Sequence, residues 1–171
     1  TPSADYAAAV TPFLLARGIA DVPAPRLLSA LPTIRDRAHT LVEAADLLDY
    51  YFREPPVLDD AARPLLSVEA APRLEAVRGI CASVEPFTAS EVEARVKGWL
   101  ESAGVKMKDV AQPVRVALTG RKASPGLFDV MAVLGREATL SRLDRAVRMA
   151  RGGWCRWPGR CGTGGWRRPA A

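Results

Sequence analysis

Three helix starts, each followed by a glycine stop, fill residues 88–135 and dictate short packed helices there. Thr88-Ala89-Ser90-Glu91 has the form of a capping box, in which hydroxyl and carboxylate satisfy each other's backbone donors at a helix start. The helix it opens runs through Trp99 and Leu100 and ends near Gly104. Gln112-Pro113 starts the next, with proline at the first helical position, and Gly120 stops it. Ser124-Pro125 repeats the device, with Ser124 as N-cap, Pro125 as first residue and Gly135 just past the end. A last helix is predicted from about Glu137 to Met149.

The first half reads the same way. Residues 1–31 predict a short alanine-rich helix broken by Gly18 and by Pro23 and Pro25. Ile34, Ala38, Leu41, Ala45, Leu48 and Phe52 then recur at spacings of four and three, one face of a long amphipathic helix ended by Pro55-Pro56. Residues 58–67 and 69–84 predict two more helices, and Pro86 marks a joint. No segment alternates with period two, aromatics are only 6%, and alanine and leucine abound, so the fold class is all-α with no β-barrel. The expected organisation is two small helical subdomains, 1–87 and 88–149, with a tail at 150–171.

A hydrophobic content of 49% with 25% charged residues belongs to a globular chain, and no stretch approaches the 18 uncharged apolar residues of a membrane span. Thr1 stands where a start methionine is expected and no signal pattern follows, which reads as a cytoplasmic chain truncated at its N-terminus. Cys81, Cys155 and Cys161 are an odd, scattered set, read as reduced thiols, and with His39 the only histidine they do not make a zinc site. The same shortage leaves little room for a Ser-His-Asp or Cys-His pair, and no GxxxxGK[ST] loop is present to cradle a nucleotide.

The net charge of +5 is unevenly spread. Residues 151–171 hold five arginines and no acid, and the remaining 19 basic and 19 acidic residues balance. Residues 1–87 carry a net −4 and residues 88–150 a net +4, so any electrostatic attraction to a nucleic acid belongs mostly to the second half. The tail interleaves arginine, glycine and three tryptophans, a pattern that can stack on single-stranded nucleic acid. Its lack of periodicity favours a disordered segment, of the composition a GC-rich gene yields when read out of frame. Glu43, Asp46 and Asp49 read as a solvated helix face.

Val110-Ala111-Gln112-Pro113-Val114-Arg115-Val116-Ala117-Leu118-Thr119-Gly120, followed by Ser124-Pro125-Gly126-Leu127-Phe128 and by Leu134-Gly135-Arg136-Glu137, resembles the closing segment of the anticodon-binding region of bacterial-type glutamyl-tRNA synthetases. That family carries a QPxRxALTG run, a short loop, then S/TPGLF and LG(K/R)E. The resemblance covers roughly residues 10–148, tight over 104–148 and looser over 31–54. It implies a helical cage that binds the anticodon stem-loop of tRNA-Glu, and a catalytic domain of the same synthetase lying upstream. ATP and magnesium belong to that parent domain, and no cofactor is expected in this chain. Lys106-Met107-Lys108 superficially matches the family's KMSKS loop, but its place just before the QPVR segment makes it a decoy. The chain is therefore not expected to aminoacylate alone.

The resemblance also nominates RNA-reading residues. Arg35 and Arg37 lie in a segment similar to the family's R-x-R-x-x-T-L, whose second arginine, here Arg37, reads a base. Arginine suits that task because its rigid fork of donors pairs with a base edge or stacks over it. Lys97, Arg115, Ser124, Pro125 and Leu127 match positions lining the stem-loop, with Lys97 standing where the family commonly has arginine. The helix starts at Pro113 and Pro125 are expected to offer free N–H groups to a phosphate or base edge, and Pro125 a flat surface. The competing expectation for Arg37 is a surface ion pair with Asp36 or a nearby carboxylate, and for Ser124-Pro125 it is helix capping alone. The leading reading is a monomeric tRNA-binding part of a glutamate–tRNA ligase. The alternatives are a truncated remnant without function and a helical protein-interaction module.

Overall fold

The computed structural model describes residues 3–152, so the expectation of a disordered tail and the readings of Cys155 and Cys161 fall outside the described residues. Within them the chain is all-α, eight α-helices without a strand. In order these are α1 (Ser3–Ala16), α2 (Ala24–Ile34), α3 (Leu41–Phe52), α4 (Ala71–Ser83), α5 (Ala89–Ala103), α6 (Met107–Thr119), α7 (Leu127–Leu134) and α8 (Arg136–Ala150). None of these helices is long and apolar enough to cross a membrane.

The predicted glycine stops are where the sequence places them. Gly104 and Gly120 end α5 and α6 in the left-handed region at φ 66° and 73°, and Gly135 follows α7 at φ 83°. Thr88 caps α5, its hydroxyl accepting from the Glu91 N–H at 3.3 Å. Pro23 and Pro25 frame the start of α2, where their missing N–H groups cost nothing.

The long helix expected over Ile34–Phe52 is two helices. The Ile34 carbonyl accepts from both the Arg37 and Ala38 N–H groups, closing α2 in a turn over residues 35–37. Thr40 then opens α3 with a complete capping box: its hydroxyl accepts from Glu43 N at 3.1 Å, and the Glu43 carboxylate accepts from Thr40 N at 3.2 Å. The three-and-four spacing runs across the break because both helices turn their apolar faces inward. The Thr40-x-x-Glu43 signal, of the same form as Thr88-x-x-Glu91, marks the new start.

Residues 58–67 do not form a helix. They hold only a 3-10 turn at Arg63–Leu65, and a second at Val68–Ala70 leads into α4. Pro64 lacks a donor there, and the Asp59 N–H bonds to the Gly120 carbonyl at 2.8 Å rather than locally.

Pro113 is not a helix start either, since α6 begins at Met107 and Pro113 lies inside it. The carbonyl that its missing N–H would have served, on Asp109, receives the Arg73 guanidinium at 3.4 Å from α4. An interior proline is tolerated where a donor from another element replaces the lost bond.

The buried residues form one apolar cluster running through all eight helices. Its most extensive helix–helix contact joins α4, which buries Leu74, Val77 and Cys81, to α8, which buries Leu143, Ala146 and Val147. Burying Leu74, Val77, Leu143 and Val147 contributes roughly 1.5–3 kcal/mol each relative to exposure, and the smaller Cys81 and Ala146 less. Further contacts of α2 with α7 and of α3 with α6 set the two candidate RNA-reading segments on one scaffold.

Candidate nucleic-acid interface

Arg35 and Arg37 lie in the turn between α2 and α3, both exposed. Arg37 makes no ion pair among the described residues, so the expected pairing with Asp36 is not formed. It lines an open groove with Arg17, Val42, Glu43, Asp46 and Leu47. A guanidinium held in a turn without a carboxylate partner keeps all its donors for an incoming group.

The second cluster sits on α6 and the loop to α7. The Arg115 Nε donates to the Ser124 hydroxyl at 3.0 Å, and that hydroxyl donates to the Pro125 carbonyl at 2.9 Å. Ser124 is therefore not an N-cap. α7 starts two residues after Pro125, at Leu127, behind Gly126, so neither Pro113 nor Pro125 presents a helix start. Ser124, Pro125 and Leu127 are buried and Arg115 is half-buried, so the group accessible from solvent here is Arg115. The flat face expected of Pro125 is packed inward. Lys97, exposed on α5, pairs with Glu93 one turn earlier at 2.5 Å, and no bond joins it to either cluster.

Residues that sequence reading passed over surround these. Asp46 accepts from Arg17 Nη2 at 2.7 Å and from Arg121 at 3.0 and 3.3 Å. The Arg121 guanidinium also lies 5.8 Å from the Tyr50 ring centroid, within cation–π range. Asp49 is only 5% exposed and accepts from Arg53 at 2.9 and 3.0 Å, with Arg17 at 3.4 Å. Glu43 is taken up by the capping box. The solvated acidic face expected for α3 is thus a cap and a set of ion pairs. For the ion pairs the only sequence trace is the fours-spacing of Asp49 and Arg53, because Arg17 and Arg121 arrive from far along the chain.

A second network closes the back of this region. Arg142 of α8, 2% exposed, donates to the Leu118 carbonyl at 2.5 Å, to the Arg53 carbonyl at 3.1 Å and to Glu54 at 3.0 Å. Glu54 also accepts from Arg145 at 2.8 Å.

Burial alone would raise the Asp49 pKa, but the hydrogen bonds and charges of Arg53 and Arg17 outweigh it and hold the carboxyl below its ordinary value. Glu54 is lowered in the same way, burial again opposed by Arg145 and Arg142. A carboxylate with a depressed folded-state pKa adds stability that is complete above its unfolded pKa, near about 4, and is lost as pH falls through the folded value. The melting temperature should accordingly be level from about pH 7 to 5 and fall below about pH 4. Asp49→Asn should flatten that acid limb, and a variant that falls as steeply as the wild type would remove Asp49 from the explanation.

Residues 5–147 match the family model described as the anticodon binding domain. Glutamate–tRNA ligase 1 of Methylobacterium radiotolerans is 50% identical over 119 residues, 69% of this chain and 25% of that protein. Glutamate–tRNA ligase 1 of Methylobacterium sp. strain 4-46 is 42% identical over 159 residues, 88% of this chain and 34% of that protein. The crystal structure of a glutamate tRNA ligase from Elizabethkingia meningosepticum, in complex with its amino acid, superposes with a TM-score of 0.76 at 22% identity, covering 88% of this chain and 30% of that one, a likeness of fold. The chain thus spans 25–34% of the length of the two curated relatives. It belongs to the anticodon-binding domain family, in the form carried by the C-terminal region of glutamate–tRNA ligases.

Proposed function

We propose that this chain grips the anticodon stem-loop of tRNA-Glu and so selects the tRNA that the rest of a glutamate–tRNA ligase charges. In this reading ATP, magnesium and glutamate are handled by the parent enzyme's catalytic domain in the cytoplasm, and one copy of the chain meets one tRNA. The observation that carries the proposal is the family match over residues 5–147 together with an exposed, unpaired Arg37 on a turn beside a groove. Arg37 serves as the base reader of the first half, with Arg35 beside it as a further RNA contact. Arg115 serves the second half, oriented by Ser124, with Pro125 and Leu127 holding the loop in shape. Lys97 offers a point charge rather than a fork, which suits a phosphate.

The test is to titrate wild type and Arg37→Ala with tRNA-Glu and with variants swapped at each anticodon base. Arg37→Ala should weaken tRNA-Glu and relax discrimination at one base, by about 1–3 kcal/mol for a well-made base contact. A purely positioning charge such as Lys108 should weaken every RNA alike when removed. Equal losses across all anticodons for Arg37→Ala would take Arg37 out of the reading set and leave Arg115 as the reader.

A further inference from the structure

The helix that follows the turn carrying Arg37 and the loop carrying Ser124 belong to opposite halves of the chain, and an ion pair joins them. Asp46 stands on α3 and lines the groove beside Arg37. Arg121 stands three positions before Ser124 in the loop after α6. Its guanidinium meets the Asp46 carboxylate with two prongs, Nη1 to Oδ2 at 3.0 Å and Nη2 to Oδ1 at 3.3 Å. From Arg121 further hydrogen bonds lead on, joined through the covalent length of the Arg121 and Arg115 side chains. Its backbone N–H donates to the Thr119 hydroxyl at 3.2 Å, that hydroxyl donates to the Arg115 carbonyl at 2.8 Å, and the Arg115 Nε donates to Ser124 at 3.0 Å. The Asp46 and Arg121 side chains are 47% and 28% exposed, and a pair so placed adds little stability. What a two-pronged contact over an aromatic ring does supply is a fixed direction for the loop.

We infer that Asp46 is a positioning residue for RNA recognition: through Arg121 it sets the distance between Arg37 and the Arg115–Ser124 pair. The inference rests on the proposed reading of both clusters as anticodon contacts. It carries a sign opposite to that of simple electrostatics. Deleting a carboxylate next to bound RNA removes repulsion and frees a guanidinium, which on charge alone strengthens binding. Deleting a positioning carboxylate weakens binding instead.

The experiment uses the full chain with the single variants Asp46→Ala and Arg121→Ala, their double variant, and Arg121→Lys, which keeps charge but loses the fork. Each is titrated with the tRNA-Glu anticodon stem-loop and with anticodon-swapped stem-loops. Amide exchange of residues 121–124 is followed without RNA, and thermal melts confirm folding. Asp46→Ala should lose about fivefold in affinity and part of its anticodon discrimination. Arg121→Lys should behave like Arg121→Ala, the double variant should lose no more than either single one, and exchange in the loop should quicken in all of them. Unchanged or tighter binding by Asp46→Ala, or losses that multiply in the double variant, would overturn the inference. A wild type indifferent to the anticodon would instead sink the functional reading itself, and this inference with it. A discriminating wild type whose variants discriminate equally well would sink the inference alone.

Discussion

Gly120→Ala should cost about 4 kcal/mol, lowering the melting temperature by about 12 °C in a chain of this size. Two effects add at this position. An alanine at φ 73° enters the left-handed region, at about 1–2 kcal/mol. Its Cβ would also lie 2.0 Å from the Val57 carbonyl oxygen and 2.8 Å from the Val57 carbonyl carbon. Those are backbone atoms and cannot swing aside. They sit there because the Gly120 carbonyl accepts from Asp59 N at 2.8 Å, pinning residues 57–59 on the end of α6. Gly104→Ala separates the two effects. Its φ is 66°, yet a Cβ there meets nothing within 4 Å, so only the conformational cost of about 1–2 kcal/mol should appear. Equal losses for the two variants, measured by denaturant titration, would show that the approach of Val57 is not rigid.

Arg142→Ala should destabilise by about 4 kcal/mol, from buried carbonyls left unsatisfied at about 1–3 kcal/mol each and a cavity. The loss is not mainly of the ion pair, since Glu54 keeps Arg145. It comes from two backbone carbonyls, of Arg53 and Leu118, left without their donor, and from the cavity beneath α8. Arg142→Met tells these apart, since it refills the volume and restores no hydrogen bond. It should recover about 1–2 kcal/mol of the loss, and recovering all of it would mean that packing alone accounts for the site.

Much of this fold can be read from neighbouring residues. A glycine past a helix needs only its own φ, and a Thr-x-x-Glu start needs only its own first turn, so Gly104, Gly120, Gly135 and Thr88 are legible. The misread positions depend on distant elements. Pro113 passes for a helix start because proline favours first turns, and only Arg73 of α4 makes its interior place acceptable. Ser124-Pro125 resembles a cap until Arg115 takes the hydroxyl. Asp46 resembles a wet face because its partners Arg17 and Arg121 are far away in sequence, and Asp49 does so although Arg53 lies only four residues on. The break at residues 35–40 is different, because the Thr40-Glu43 signal is local and was masked by an apolar spacing that continues across it.

The candidate interface divides along the same line. The family motif names Arg35, Arg37, Lys97, Arg115, Ser124, Pro125 and Leu127, but exposure sorts them by the work each can do. Arg37 is exposed and Arg115 half-buried, so both guanidiniums are open to solvent. Ser124, Pro125 and Leu127 are packed inward, which suits them to supporting the loop rather than to meeting RNA.

Recognition of an anticodon loop is tested most directly by binding of the isolated tRNA-Glu anticodon stem-loop to the whole chain at two salt concentrations. Affinity should fall about tenfold between roughly 50 and 200 mM salt, as two or so phosphate contacts require. At either salt the cognate loop should bind more tightly than one with the same stem and a replaced anticodon, by about 1–3 kcal/mol per altered base. Equal affinity for both loops, with the same salt dependence, would reduce the chain to a nonspecific cation for RNA and contradict the account.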